Sequence, residues 1–145
     1  MKILIADDEP LARAVLAEII EEIRGGTVVG EAASGPEAVE KSLALKPDVL
    51  LLDLQMPGLD GLSVARALRN SPLPLVIYVT AFEQHALAAF ETGAVDYLLK
   101  PVRRERLEAA LERARRQLPA LAPPVETPRR ITGRSDNPFD RAVLM

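Results

Sequence analysis

Asp48-Val49-Leu50-Leu51-Leu52-Asp53 is an unbroken apolar run closed at both ends by carboxylates. It shows no polar/apolar alternation, so both faces of the segment must be covered, as in a central parallel strand packed between two layers of helix. Moving outward, short apolar runs at Ile3–Ala6, Val28–Ala32, Leu75–Val79 and Val95–Leu99 repeat the pattern. Helical patterns near residues 10–23, 36–45, 61–70, 84–92 and 104–117 separate and follow them. In the first, Leu11, Val15, Leu16, Ile19, Ile20 and Ile23 recur at helical spacing opposite Glu18, Glu21 and Glu22. Pro10 suits a first helical turn, and Gly25-Gly26 suits a stop. Pro36 opens the second helix, and Lys46-Pro47 ends it. Five βα units imply a doubly wound α/β fold with right-handed crossovers. The expected form is a flavodoxin-like (βα)5 parallel sheet of strand order 2-1-3-4-5, with its site outside the strands' carboxyl ends.

Bulk properties bound the function. The 145 residues suit one domain plus an appendix, and 48% hydrophobic content supports a real core. A net charge of −3 gives no general attraction to nucleic acid or anionic membrane. Cysteine is absent, which excludes disulfides, thiolate metal sites and cysteine nucleophiles. The apolar run at Ile3–Ala6 is cut off by Asp7-Asp8, so it is not a signal peptide, and no apolar stretch approaches the ~20 residues of a membrane span. A soluble, cytoplasmic protein is expected.

The composition changes after Leu118. Pro119, Pro123, Pro124 and Pro128 mark residues 119–130 as a semi-rigid linker, and 131–145 hold too few large apolar side chains for a core of their own. Beyond residue 118, four arginines face three carboxylates, a net +1, which leaves −4 on residues 1–118. Arg129, Arg130 and Arg134 are read as a solvated linker rather than a nucleic-acid arm, because no motif there reads bases.

The strand order brings particular chemistry together. Asp7 and Asp8 follow strand one, Asp53 follows strand three, and these strands are neighbours. Three carboxylates in one crevice would repel strongly without a cation, and Mg²⁺ resolves the conflict by taking carboxylates, waters and phosphate oxygens. Asp8 alone would be as well explained as a helix cap ahead of Pro10. Asp53, closing an apolar strand ahead of Gln55-Met56-Pro57-Gly58, is poorly explained by packing. Phosphorylation of an aspartate needs a carboxylate nucleophile, a metal and a cation for the phosphoryl oxygens. Lys100, ending strand five, is in reach of that role, although a lone strand-end lysine is ordinarily a solvated charge. Thr80, ending strand four, offers a hydroxyl to a phosphoryl oxygen, or simply a strand-end cap. His85 falls at the start of the fourth helix, and we read it as a surface residue with no catalytic role.

Asp7-Asp8, Asp53-Leu54-Gln55-Met56-Pro57-Gly58-Leu59-Asp60-Gly61, Thr80-Ala81 and Lys100-Pro101 together resemble the receiver domain of bacterial two-component response regulators. The resemblance covers residues 2–118. It implies that Asp53 accepts phosphate from a sensor histidine kinase and that Mg²⁺ is the cofactor. It implies that Asp8 binds the metal directly, Asp7 acts mainly through water, and the backbone carbonyl of Gln55 completes the ligands. It further implies that Thr80 and Lys100 bind the phosphoryl group and that the bond before Pro101 is cis. Tyr97 is implied as the switch aromatic, rotating as Thr80 is drawn inward and altering the face built by the fourth helix, fifth strand and fifth helix.

Phe82 and the run Ala89-Phe90-Glu91-Thr92-Gly93-Ala94-Val95-Asp96-Tyr97-Leu98-Leu99-Lys100-Pro101 are similar to receivers joined to LytTR-type DNA-binding domains. Such a domain needs about a hundred residues, and 27 follow Leu118. The expectation is therefore a truncated or shortened transcriptional regulator, touching DNA only through an output domain missing here and forming a homodimer when phosphorylated. The alternative is a stand-alone receiver that acts by protein contact or dimerisation. An aspartyl-phosphate phosphohydrolase would place a general acid at position 55, where Gln55 stands. A flavodoxin-like FMN carrier would need phosphate donors after strand one, where Asp7-Asp8-Glu9-Pro10 is acidic. The chemistry expected is self-modification of a switch, not turnover of a metabolite.

Overall fold

The computed structural model describes residues 1–121. The expected linker at 119–130 and tail at 131–145 lie outside the described residues, except that 119–121 continue the last helix. Five strands form one parallel sheet, β1 (Lys2–Ala6), β2 (Thr27–Ala32), β3 (Val49–Leu52), β4 (Leu75–Thr80) and β5 (Asp96–Leu99), in the order β2-β1-β3-β4-β5. This is the flavodoxin-like arrangement expected from the sequence.

β3 lies at the centre, and all four of its residues are buried. Because strand side chains alternate between faces, the core divides in two. Ile3, Ile5, Val49, Leu51, Ile77, Val79 and Leu98 pack beneath α1 (Pro10–Ile23) and α5 (Arg104–Leu121) through Leu16, Ile20, Leu107 and Leu111. Leu4, Leu50, Leu52, Tyr78 and Tyr97 pack on the other face against Ala38 of α2 (Gly35–Leu45), Val64 of α3 (Gly61–Ala67) and Ala89 of α4 (Ala86–Glu91).

Helix boundaries follow local chemistry. Ser34 caps α2 by accepting from the Glu37 amide at 3.2 Å, while the Glu37 carboxylate accepts from the Ala33 amide at 2.7 Å, a variant of the capping box. The fourth helical segment divides into a 3-10 turn over Glu83–His85 and a six-residue α4. α1 ends on Arg24 in the left-handed region (φ 54°), one residue before the glycines that were expected to stop it. Its apolar stripe is only partly used: Leu16 and Ile20 are buried, whereas Leu11 is 82% exposed and Val15 50%. Gly61 opens α3 directly behind β3, where a Cβ would lie 2.3 Å from the Asp53 carbonyl oxygen. Glycine there lets α3 close against the strand end that carries Asp53.

α5 is fastened to the sheet by charge as well as by burial. Asp96, 3% exposed at the start of β5, accepts from Arg106 at 2.9 and 2.8 Å and from Arg113 at 2.8 Å. Burial alone would raise the Asp96 pKa, but the Arg106 and Tyr97 hydrogen bonds and the two guanidinium charges outweigh it and hold it below 3.8. A depressed folded pKa means stability present above the unfolded value and lost as pH falls through the folded one. Asp96→Asn should therefore cost about 2 kcal/mol at pH 7, the range for hydrogen bonds to a charged group. The difference from the unmodified chain should shrink as pH falls below 3.8, which urea unfolding across pH 2–7 would record.

Candidate active site

The carboxyl ends of β1, β3, β4 and β5 meet at one cleft of about 870 Å³, lined by Asp8, Glu9, Asp53, Gln55, Met56, Phe82, His85 and Lys100 among others. Backbone pairing puts the acidic residues there. The Asp7 amide donates to the Ala32 carbonyl (2.9 Å) and the Asp53 amide to the Ala6 carbonyl (3.0 Å), so each aspartate extends its strand by one rung. One carboxylate oxygen from each of Asp7, Asp8 and Asp53 lies within 4.8 Å of the others.

The three aspartates differ in how far they are committed to protein partners. Asp7 is buried and fully engaged: Oδ1 accepts from the Glu9 amide at 2.9 Å, Oδ2 from Lys100 Nζ at 2.7 Å, and its carbonyl from Arg13 at 2.6 Å. Asp53 accepts from Lys100 Nζ at 3.1 Å and more weakly from the Gln55 amide at 3.4 Å. Asp8 is exposed, and among the described residues its carboxylate has no hydrogen-bond partner. It does not cap α1: the N-cap is Glu9, which makes no side-chain cap bond. Three carboxylates are hard oxygen donors, a set that fits Mg²⁺ and not a thiophilic metal.

Lys100 is the positive charge of the cleft. Its amide donates to the Thr80 carbonyl at 2.8 Å, which ties the end of β5 to the end of β4. Burial alone would lower the ammonium pKa, but Asp7 and Asp53 together hold it above its ordinary value. Glu9 adds a third carboxylate at 3.9 Å. The Lys100–Pro101 peptide is cis, as is Leu73–Pro74.

Thr80 and Tyr97 meet through one residue, Phe82, the first at its amide and the second at its carbonyl. Thr80 is fully buried, and its Oγ1 accepts from the Phe82 amide at 3.3 Å. The Tyr97 hydroxyl donates to the Phe82 carbonyl. Tyr97 is buried, with its ring already on the α4 side of the sheet. Burial pushes the Tyr97 phenol up, so it stays a protonated donor at neutral pH.

Two residues stand differently from their sequence reading. His85 lines the same cleft as Asp53, because the 3-10 turn swings it back over the β4 end, its ring 6.3 Å from Phe82. Arg13 was not singled out at all. It lies on α1 within reach of the Asp7 carbonyl, and its Nε also donates to Glu31 at 2.8 Å. The available signal was an arginine six residues after Asp7 on an otherwise apolar stripe.

The family model for the response regulator receiver domain matches residues 3–112. The chain belongs to the response regulator receiver family. This receiver is 50% identical over 131 residues to the positive alginate biosynthesis regulatory protein of Pseudomonas aeruginosa, covering 86% of this chain and 52% of the relative. It is 44% identical over 117 residues to the transcriptional regulatory protein BtsR of Salmonella typhi, covering 81% and 49%. Among solved structures, the receiver domain of AraT, a response regulator of Geobacillus stearothermophilus, superposes with a TM-score of 0.75 at 36% identity. That match covers 81% of this chain and 95% of the AraT chain. The chain spans about half the length of the curated relatives it matches. As a receiver it is a regulatory switch of two-component signalling. Among the described residues no helix is long and apolar enough to cross a membrane.

Lys100→Met would leave the buried Asp7 and Asp53 carboxylates without their shared cation. In EDTA it should lower stability by about 1–3 kcal/mol. Adding Asp53→Asn to it should recover part of that loss, since one of the two repelling charges is then gone; a urea double-mutant cycle would measure the coupling.

Proposed function

We propose that Asp53 is the phosphoacceptor of a Mg²⁺-dependent switch that passes a histidine kinase's signal to transcriptional output. The observation that carries the reading is the neighbourhood of Asp53: two further aspartate carboxylates within 4.8 Å and the Lys100 ammonium at 3.1 Å. In this reading an Asp53 carboxylate oxygen attacks phosphorus. The P–N bond of a donor phosphohistidine, or the P–O bond of a small acyl phosphate, breaks with its electron pair leaving on the donor. Water later attacks the same phosphorus, regenerating the carboxylate and releasing phosphate.

Asp8, uncommitted to protein partners, is assigned as the direct metal ligand, with Asp53 and the Gln55 carbonyl beside it. Asp7, already engaged by Lys100 and the Glu9 amide, acts through water. When bound, Mg²⁺ offsets the negative charge shared by the carboxylates and the phosphoryl oxygens. Lys100 transfers part of its hydrogen bonding from Asp7 and Asp53 to a phosphoryl oxygen. The Thr80 hydroxyl turns toward another and releases the Phe82 amide. Because Tyr97 holds the carbonyl of the same residue, the β4–α4 loop and Tyr97 respond together. This is a population shift toward the conformation whose donors best meet the phosphoryl group.

The kinase is assigned to the α1 side. Exposed Leu11 and Val15 form an apolar groove with Pro101 and Val102 that shares Glu9 and Lys100 with the acidic cleft. A partner seated there would hold its phosphohistidine over Asp53. The response is assigned to the α4-β5-α5 face, where Leu87, Phe90 and Leu99 are exposed, as a homodimer contact of the phosphorylated form. BtsR is a transcriptional regulatory protein and the Pseudomonas relative a positive regulator of alginate biosynthesis, so the output proposed is control of transcription through a LytTR-type domain outside these residues.

Incubation with acetyl phosphate and Mg²⁺ should add one phosphoryl mass to the intact protein. EDTA or Asp53→Asn should abolish the adduct. An adduct of equal yield in Asp53→Asn would overturn the assignment.

A further inference from the structure

Tyr78 lies on β4 two residues before Thr80, and its ring is fully buried beneath α4. A ring suffices to fill that space, yet this side chain also carries a hydroxyl, and a buried hydroxyl needs a partner. Its partner is Thr92 Oγ1 at 2.8 Å. Thr92 is the C-cap of α4, and its own hydroxyl proton goes to the Ala89 carbonyl at 2.6 Å. With that proton used, the Tyr78 hydroxyl is the donor to Thr92 Oγ1. Burial pushes the Tyr78 phenol up, so the donor keeps its proton at neutral pH.

Tyr78 is also the cross-strand neighbour of Tyr97, with ring centroids 6.1 Å apart. The two hydroxyls point to opposite ends of one segment: Tyr97 holds the Phe82 carbonyl and Tyr78 holds the Thr92 side chain. Between residues 82 and 92 only Ala89 is buried. A segment with so little apolar anchoring has low local stability, so the hydroxyl bonds at its ends carry much of its placement.

We infer that Tyr78 is a second positioning residue of the switch, latching the C-terminal end of α4 through Thr92 so that residues 82–92 move as one body with Tyr97. The latch itself stands on this geometry alone. Its part in signalling rests on the phosphoacceptor reading above. In that reading Thr80 and Tyr97 move the start of the segment, and the Tyr78–Thr92 bond transmits the motion to its end.

Amide hydrogen exchange on the full chain tests this with Tyr78→Phe, Thr92→Val and the double variant, using Leu50–Leu52 of β3 as the reference for global stability. Without additions, exchange over residues 86–93 should quicken about three- to tenfold relative to β3 in each single variant, the span of one hydrogen bond. Thr92→Val also loses the Thr92–Ala89 bond, so the double variant should be no faster than Thr92→Val alone. With beryllium fluoride and Mg²⁺, the unmodified chain should change protection at Phe82 and at 86–93 together. Both variants should keep the change at Phe82 and lose most of it at 86–93, a difference that mere loss of stability would not produce. Unchanged basal exchange at 86–93, effects that multiply in the double variant, or a fluoride response retained in full at 86–93 would each overturn the latch. Absence of any fluoride response in the unmodified chain would instead overturn the phosphoacceptor reading, and the basal exchange would then decide the latch alone.

Discussion

The Lys100 ammonium, held between Asp7 at 2.7 Å and Asp53 at 3.1 Å, is the interaction on which the cleft depends. A parallel sheet gathers the carboxyl ends of its strands along one edge, and here that brings three carboxylates together. Two of them are buried, at 1% and 7% exposure, where like charges are least screened. A cation from the far strand makes that tolerable. It also joins β5 to β1 and β3 across β4, so the charge balance of the site and the closure of the sheet edge are one constraint. The same lysine that stabilises the crowded cluster is the group best placed to meet an incoming anion.

The division of labour among the aspartates follows from backbone position. Asp7 faces inward and is saturated by Lys100 and the Glu9 amide. Asp8, one residue on, is exposed and has no hydrogen-bond partner among the described residues. The chain bends at Asp8, just past the strand end, so the acidic dipeptide yields one committed and one available carboxylate. Arg13 reinforces this by fixing the Asp7 carbonyl while its Nε is held by Glu31 near the end of β2.

Much of this was legible in the sequence because it depends on strand order. The continuous run Val49–Leu52 placed β3 at the centre, and once β1 was its neighbour, Asp7, Asp8 and Asp53 had to meet. Features set by tertiary fit were not legible. Leu11 and Val15 share the helical stripe with Leu16 and Ile20, but periodicity cannot tell how much of an apolar face the sheet will cover. The fourth helix opens with a 3-10 turn over Glu83–His85 that local propensity does not mark, so His85 at the cleft could not be read from it. Asp96 with Arg106 and Arg113 was hidden for a similar reason, since charges ten and seventeen residues apart meet only after α5 docks.

The alternation that splits the core into two layers has a consequence for how such a domain tolerates change. Ile77 and Val79 face α1 and α5, while Tyr78 between them faces α4, so the two layers lie on opposite sides of the sheet. Side chains that share no partner contribute to free energy almost independently. Core substitutions on the α1–α5 side should therefore combine nearly additively with those on the α2–α3–α4 side. The sheet acts as a thermodynamic partition, so the two core layers are free to diversify separately within one small domain.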